Sequence, residues 1–301
     1  MTTTDTNQTG RISVPAAGDG GSHVHRRGRA MVCLDVDGTL VDHDGHMSDA
    51  VRRTGREVVA DGHTVVVSTG RSLPAVLPVV EALGVTQGYA VCSNGGVTVR
   101  IDASLPDGYE VISRHVFDPA PALEALADRL PNARYAVETA DGGFLSTERF
   151  QDMSFGLMAE GVTFQELTQV EAVRLVVNSH TATSEEFAEA VGGIGLQGVT
   201  YSVGWSAWLD VAAAGVTKGS SLEALRERLG VPITDVVAAG DGRNDIEMLV
   251  WAGRGVAMGQ APEEVVRAAD EQTDHVDDDG LVPVLRRVLD GDYGSRDAVA
   301  D

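Results

Sequence analysis

Three short apolar runs in this chain each break off into a cluster of acidic or hydroxyl-bearing residues, and this recurrence limits the fold more than any other feature. Ala30-Met31-Val32-Cys33-Leu34 leads into Asp35-Val36-Asp37-Gly38-Thr39-Leu40. Thr64 to Val67 leads into Ser68-Thr69-Gly70-Arg71, and Val236-Val237-Ala238-Ala239 leads into Gly240-Asp241-Gly242-Arg243-Asn244-Asp245. Unbroken apolar runs of this length suit strands buried on both faces, the habit of parallel sheets covered by helices. Ligands of an open parallel sheet gather beyond the carboxyl ends of its strands. The polar clusters are therefore expected to meet in one place.

Between these runs the pattern is helical. Ser48 is a cap for a helix to about Ala60, with Val51, Val58 and Val59 on one face. Leu73 to Leu83 is a second helix, stopped by Gly84. Tyr89 to Cys92 is a strand, and Val97 to Ile101 with Tyr109 to Ile112 a hairpin turning at Pro106-Asp107-Gly108. After about Arg114 strand and helix stop alternating. Helices are expected at Ala120 to Leu130 and Glu185 to Val191, and strands at Arg134 to Glu138, Val173 to Asn178, Val199 to Val203 and Trp208 to Val211. Alternation resumes with a helix from Gly219 to Leu229, a strand from Val236 to Ala239, a helix from Asn244 to Ala252, a strand from Gly255 to Met258, and helices from Glu263 to Ala269 and Val282 to Leu289. The fold class read from this order is α/β, a Rossmann-like parallel-sheet core (30–114 and 212–290) with an inserted α+β domain (115–211). Residues 1–29 are Thr-, Gly- and Ser-rich and are expected as a disordered tail, and 291–301 as a flexible one.

Composition narrows the function. The net charge is −22, and residues 1–29 hold four arginines against two aspartates, so the rest of the chain is more acidic still. That opposes general affinity for nucleic acid or anionic membrane. No apolar run approaches the roughly 18 residues of a membrane span, and the first 29 residues show no apolar core of a secretory signal. With Cys33 and Cys92 both inside apolar stretches, a cytoplasmic protein with reduced, buried thiols is expected. An anionic substrate would need a local cationic site. Of the 23 lysines and arginines only one, Lys218, is lysine. It lies in Gly215-Val216-Thr217-Lys218-Gly219, just before a helix, where a compact ammonium differs from a guanidinium fork.

Each cluster has a plain alternative. Asp35 and Asp37 leave a strand end one residue apart, which is also ordinary Asp-Gly turn chemistry. Thr69 suits a phosphoryl oxygen and Gly70 a close backbone approach, though a helix cap is an equal reading. Asp241 and Asp245 suit a hard cation such as Mg²⁺, or an N-cap and a solvated acid.

Taken together, the four segments resemble the haloacid dehalogenase (HAD) superfamily in type, order and position. Asp35 and Asp37 match its first motif, Thr69 its second, Lys218 its third, and Asp241 with Asp245 its fourth. Ser93-Asn94-Gly95-Gly96, Trp208-Leu209-Asp210-Val211, Gly255-Val256-Ala257-Met258-Gly259 and Asp277-Asp278-Asp279-Gly280-Leu281-Val282 extend the likeness to its Cof-type subfamily, which carries a large C2-type cap between the second and third motifs. The likeness covers about residues 30 to 290, and Gln260 departs from it where the subfamily usually has Asn.

The resemblance implies a phosphatase acting on a small phosphorylated metabolite. Asp35 would form an aspartyl-phosphate and Asp37 would serve as acid and then base. Mg²⁺ would lie between the Asp35 carboxylate, the Asp37 backbone carbonyl and Asp241, with Asp245 holding a bound water. Thr69, the backbone near Gly70, Lys218 and Asn244 would hold the phosphoryl group. Arg71 and Asn94, just past strand ends, are candidates for substrate contact. Arg134, Glu148, Arg149, His180, Trp205 and Trp208 are candidates within the cap, with no spacing to choose among them. The rival readings are a phosphosugar mutase and a ligand-binding regulator without turnover.

Overall fold

A computed structural model describes residues 28–148, 156–179, 181–192, 194, 196, 198–203 and 207–294. The tail expected at residues 1–29 lies outside the described residues except for Gly28 and Arg29, as does the C-terminal tail after Gly294.

Strand β1 (Met31–Leu34) sits in the middle of an eight-stranded sheet. On one side it pairs in parallel with β2 (Thr64–Ser68), which pairs in parallel with β3 (Gln87–Cys92). The antiparallel hairpin of β4 (Val97–Asp102) and β5 (Tyr109–Arg114) finishes that edge. On the other side lie β12 (Val236–Gly240), β13 (Arg254–Ala257) and β14 (Glu271–Gln272), all parallel. Period-two alternation splits β1 between two cores. Val32 and Leu34 pack with helices α1 (Asp49–Ala60), α2 (Leu73–Ala82) and α9 (Leu281–Leu289). Met31 and Cys33 pack with α6 (Lys218–Leu229), α7 (Ile246–Trp251) and α8 (Glu263–Ala268). Each Val, Leu or Met fully buried this way contributes roughly 1.5–3 kcal/mol, so the covered sheet is a rigid base for whatever leaves its strand ends.

Two caps fix the helices nearest those ends. Ser48 accepts from the Val51 amide at the start of α1. Thr217 and Ser220 form a reciprocal capping box that starts α6 at Lys218, and Gly230 ends that helix in the left-handed region.

A second, six-stranded sheet comprises β6 (Arg134–Thr139), β7 (Phe144–Ser146), β8 (Glu160–Gly161), β9 (Ala172–Asn178), β10 (Val199–Val203) and β11 (Trp208–Ala213). They run in the order β10-β11-β9-β6-β7-β8, antiparallel except for β7 with β8. Leu175 and Val177 of β9 face a core formed with α3 (Ala120–Arg129), α4 (Phe164–Leu167) and α5 (Ser184–Gly192). Arg174 of β9 looks the other way, onto the turn that follows β2, beside Glu138 of β6. The chain is thus a parallel-sheet core with an inserted α+β cap, as the loss of alternation predicts.

At the opposite end of the sheet, His63 Nδ1 accepts from the Ala30 amide at 3.0 Å. Tyr293 stands edge-on to that imidazole, and its hydroxyl donates to the Gly28 carbonyl at 2.6 Å. Among the described residues no helix is long and apolar enough to cross a membrane.

Candidate active site

Five strand ends or helix starts bring the sequence-predicted residues together. Asp35 follows β1, Thr69 to Arg71 follow β2, Asn94 follows β3, Lys218 opens α6, and Asp241 follows β12 with Asn244 and Asp245 in a 3-10 turn. Lys218 Nζ donates to Asp35 Oδ1 at 2.7 Å and to Asp245 Oδ1 at 2.6 Å, with its side chain wholly buried. The other oxygen of Asp245 accepts the amides of Asp241 and Gly242 at 3.0 and 2.8 Å. Asp245 is therefore tied to the ammonium and to the turn carrying Asp241.

Lys218 borders a cavity, yet it is only 1% exposed. Burial by itself would discharge it. The flanking Asp245 and Asp35 more than reverse that and hold the ammonium charged, above the ordinary lysine range.

The carboxylates outnumber their cation. Oxygens of Asp35, Asp241 and Asp245 lie within 4.8 Å of one another. Burial pushes the Asp35 carboxyl well above its ordinary value, Asp245 adds to the rise, and Lys218 offsets it only in part. Burial and Asp245 likewise push Asp241 up to about 6. The cluster thus carries more negative charge than one ammonium balances, and its donors are all hard oxygens, which fits a Mg²⁺-type ion. Gly38 has φ +79°, and a Cβ there would collide with the Asp241 carboxylate, so only glycine lets the first turn close on it. Gln260, the departure noted above, donates to both the Gly38 carbonyl and Asp241 Oδ2, and accepts the Val276 amide at 3.0 Å. It fastens the two acidic turns to each other.

Asp37 lines the same cavity but has a different partner. Arg71 grips it with Nε to Oδ2 at 3.0 Å and Nη2 to Oδ1 at 2.5 Å. Its carboxylate is not part of the three-acid cluster, and only its backbone remains available to it. Thr69 is buried, and its hydroxyl accepts the Arg71 amide at 3.1 Å.

The turn after β3 carries strain. Ser93 and Asn94 both have left-handed backbone, φ 53° and 54°, at about 1–3 kcal/mol each. The Ser93 amide donates to the Arg71 carbonyl and the Asn94 amide to the Thr69 carbonyl. Asn244 Nδ2 donates to Asn94 Oδ1 at 2.9 Å, while the buried Asn94 Nδ2 meets no hydrogen-bond acceptor among the described residues. That donor points to an acceptor brought by a ligand.

Two cavities meet at Arg174, Asp210 and Asn244. One, of about 250 Å³, holds Asp35, Asp37, Gly70, Arg71 and Asp241 under Trp208. The other, of about 280 Å³, runs between Asn94 and Lys218 of the core and Thr200, Tyr201 and Ser202 of the cap. Of the cap candidates, Trp208 is placed here, donating to Asp210 Oδ2 at 3.0 Å. Arg134 and Glu148 instead pair with each other at 2.7 Å, away from both cavities. Arg149, His180 and Trp205 lie outside the described residues. Glu138 and Arg174 are not among the sequence candidates, although a charge inside the apolar runs Tyr135-Ala136-Val137-Glu138 and Ala172-Val173-Arg174-Leu175 is a usable signal.

The haloacid dehalogenase-like hydrolase family profile matches residues 32–285, and the chain belongs to that family. It is 25% identical over 264 residues to the 5-amino-6-(5-phospho-D-ribitylamino)uracil phosphatase YcsE of Bacillus subtilis, covering 85% of this chain and 94% of that one. It is 28% identical over 254 residues to a phosphoglycolate phosphatase of Methanoculleus marisnigri, covering 84% and 94%. Its fold is that of the subclass IIB sugar phosphatase BT4131, with TM-score 0.71, 24% identity, and 86% and 98% coverage. Those relatives are named phosphatases, and the chain is a phosphoric monoester hydrolase of the family.

Proposed function

We propose that the enzyme hydrolyses a small phosphomonoester, such as a sugar phosphate, through an aspartyl-phosphate on Asp35 with Mg²⁺ as cofactor. The observation that carries this reading is the buried Asp35–Lys218–Asp245 cluster facing Asp241. A carboxylate oriented by a fixed ammonium at a strand end suits in-line attack on phosphorus. The Asp35 and Asp241 carboxylates and the Asp37 backbone carbonyl would hold the ion, with Asp245 behind them. When bound, it neutralises charge on the phosphoryl oxygens.

Asp35 forms a bond to phosphorus as the ester P–O bond breaks, and Asp37 gives its proton to the departing alkoxide. Asp37 then takes a proton from the water that attacks the phosphoaspartate, releasing phosphate and restoring Asp35. Thr69, the Gly70 backbone, Lys218 and Asn244 hold phosphoryl oxygens. Arg71 positions Asp37 and meets the substrate, and Asn94 Nδ2 supplies a donor to it. The second cavity sets the polar groups of Asn94, Thr200 and Ser202 against Tyr201, Val203, Val211 and Val216, which suits a small leaving group with both polar and apolar faces. The relatives named above are called phosphatases of a phosphoribitylamino-uracil and of phosphoglycolate, so the family alone does not choose the skeleton. Cys33 and Cys92 are both buried free thiols, which fits a reducing compartment such as the cytoplasm.

The test is covalent trapping. With radiolabelled substrate and Mg²⁺, label should appear on Asp35, vanish in Asp35→Asn, and accumulate in Asp37→Asn given a good leaving group such as p-nitrophenol. Label on any other residue overturns the assignment. Phosphoryl return to a sugar only in the presence of a bisphosphate activator would mark a mutase instead.

A further inference from the structure

Glu138 and Arg174 are charged side chains set within the cap strands β6 and β9, and they are 4% and 1% exposed. The chemistry above uses neither. Both reach out of the cap into the core. Arg174 Nη1 donates to the Gly70 carbonyl, and Nη2 donates to Ser72 Oγ at 2.8 Å. Glu138 Oε2 accepts from Ser72 Oγ at 2.9 Å and from Ser93 Oγ at 2.6 Å. The two charges face each other at 3.4 Å, and Asp210 lies 3.5 Å from Arg174 Nη1.

The groups they hold belong to the two turns that form the phosphoryl end of the site. One turn carries Thr69, Gly70 and Arg71. The other carries Ser93 and Asn94 in left-handed backbone, and the two are joined by the Ser93-to-Arg71 and Asn94-to-Thr69 amide bonds. Strained backbone persists only where its surroundings over-determine it. Here the inner restraint comes from the core and the outer one from the cap. A buried ion pair is a poor source of stability compared with an apolar pair of equal volume. What it supplies is direction: each bond fixes a particular carbonyl or hydroxyl of a catalytic turn.

We propose that Glu138 and Arg174 are positioning residues through which the cap sets the geometry of both phosphoryl-binding turns. The cap then contributes to every turnover, whatever the leaving group, in addition to any selection among substrates. This rests on the phosphatase reading of the site.

The experiment compares the full-length protein with Glu138→Gln, Arg174→Met and Ser93→Ala, the last removing a single hydroxyl from Glu138. Hydrolysis of acetyl phosphate, p-nitrophenyl phosphate and glucose 6-phosphate is followed with Mg²⁺, and amide hydrogen exchange is measured in 68–72 and 93–96. Displacement of a reacting group costs up to about 100-fold. Each variant should lower kcat by one common factor of about 10 to 100 across the three substrates, leave KM nearly unchanged, and speed exchange in both turns. A factor that varies with the leaving group, a change confined to KM, or unchanged exchange would overturn the proposal. If the wild-type protein hydrolyses none of the three, the phosphatase reading fails on that result, and the exchange data still decide whether the pair holds the turns.

Discussion

Arg71 holds Asp37 by two hydrogen bonds, of 3.0 and 2.5 Å, and so fixes the carboxylate proposed as acid and base beside the three-acid cluster. Asp37 is more than half exposed, so the pair adds little to stability, and its effect should be on rate. Arg71→Lys replaces a fork with a point charge. Loss of one charge-assisted bond is worth roughly 1.5 kcal/mol, or about tenfold. We expect kcat to fall by about that factor for an alkyl phosphate and by less for p-nitrophenyl phosphate, with an unchanged melting temperature. Equal losses on both substrates would place Arg71 on the phosphoryl group rather than on Asp37.

Removing divalent metal should abolish hydrolysis, and Mg²⁺ should restore it. The excess carboxylate charge gives a second reading that needs no substrate. An ion at 100 times its Kd stabilises the folded state by about 2.7 kcal/mol, so Mg²⁺ should raise Tm by several degrees. Asp241→Asn should remove most of that rise. A metal-independent Tm together with full turnover in EDTA would contradict the assignment.

Because Lys218 is buried between Asp35 and Asp245, its replacement should cost stability as well as rate. Lys218→Met leaves two buried carboxylates without their counter-charge, a loss of about 3–5 kcal/mol. Lys218→Arg overfills the site at about 1–3 kcal/mol and should lower kcat by roughly 10²–10³. Urea unfolding and steady-state kinetics on the same samples measure both. Amine-selective reagents should label the N-terminal amine long before Lys218.

Stability should also fall in mild acid through His63. Burial holds this imidazole below its ordinary value, and Asp61 offsets that only in part. In the window between the folded and unfolded values the unfolded chain binds the extra proton. The stabilisation is therefore complete above about pH 6.5 and is lost as pH falls below it, by at most about 1.4 kcal/mol per unit. The urea midpoint should drop between pH 7.5 and 5.5, and the drop should shrink in His63→Gln. An identical drop in both proteins would assign it to carboxylates instead.

The parts legible in the sequence are those where one residue type has one physical use. Uninterrupted Val and Ala runs could only be covered strands, and β1, β2 and β12 lie side by side as their composition requires. The ten predicted site residues lie just past strand ends or at the start of α6, and the fold brings them to one place. Other elements gave no such signal. Strands β8 and β14 are two residues long, and β7 is three, too short for alternation to register. The helix expected from Asn244 begins as a 3-10 turn and becomes α-helical only at Ile246, because Asp245 turns back to accept the amides of Asp241 and Gly242. The grip of Arg174 on Gly70 spans 104 positions, and no local pattern announces a partner so distant.

The hydrogen bond from Tyr293 to the Gly28 carbonyl has an architectural consequence. It brings the first and last described segments together at the amino end of β1, a full strand length from Asp35. A short linker joining them would close the chain into a ring without crossing the site. New ends could then be cut at the exposed Pro106-Asp107-Gly108 bend, giving a circular permutant with the same catalytic centre.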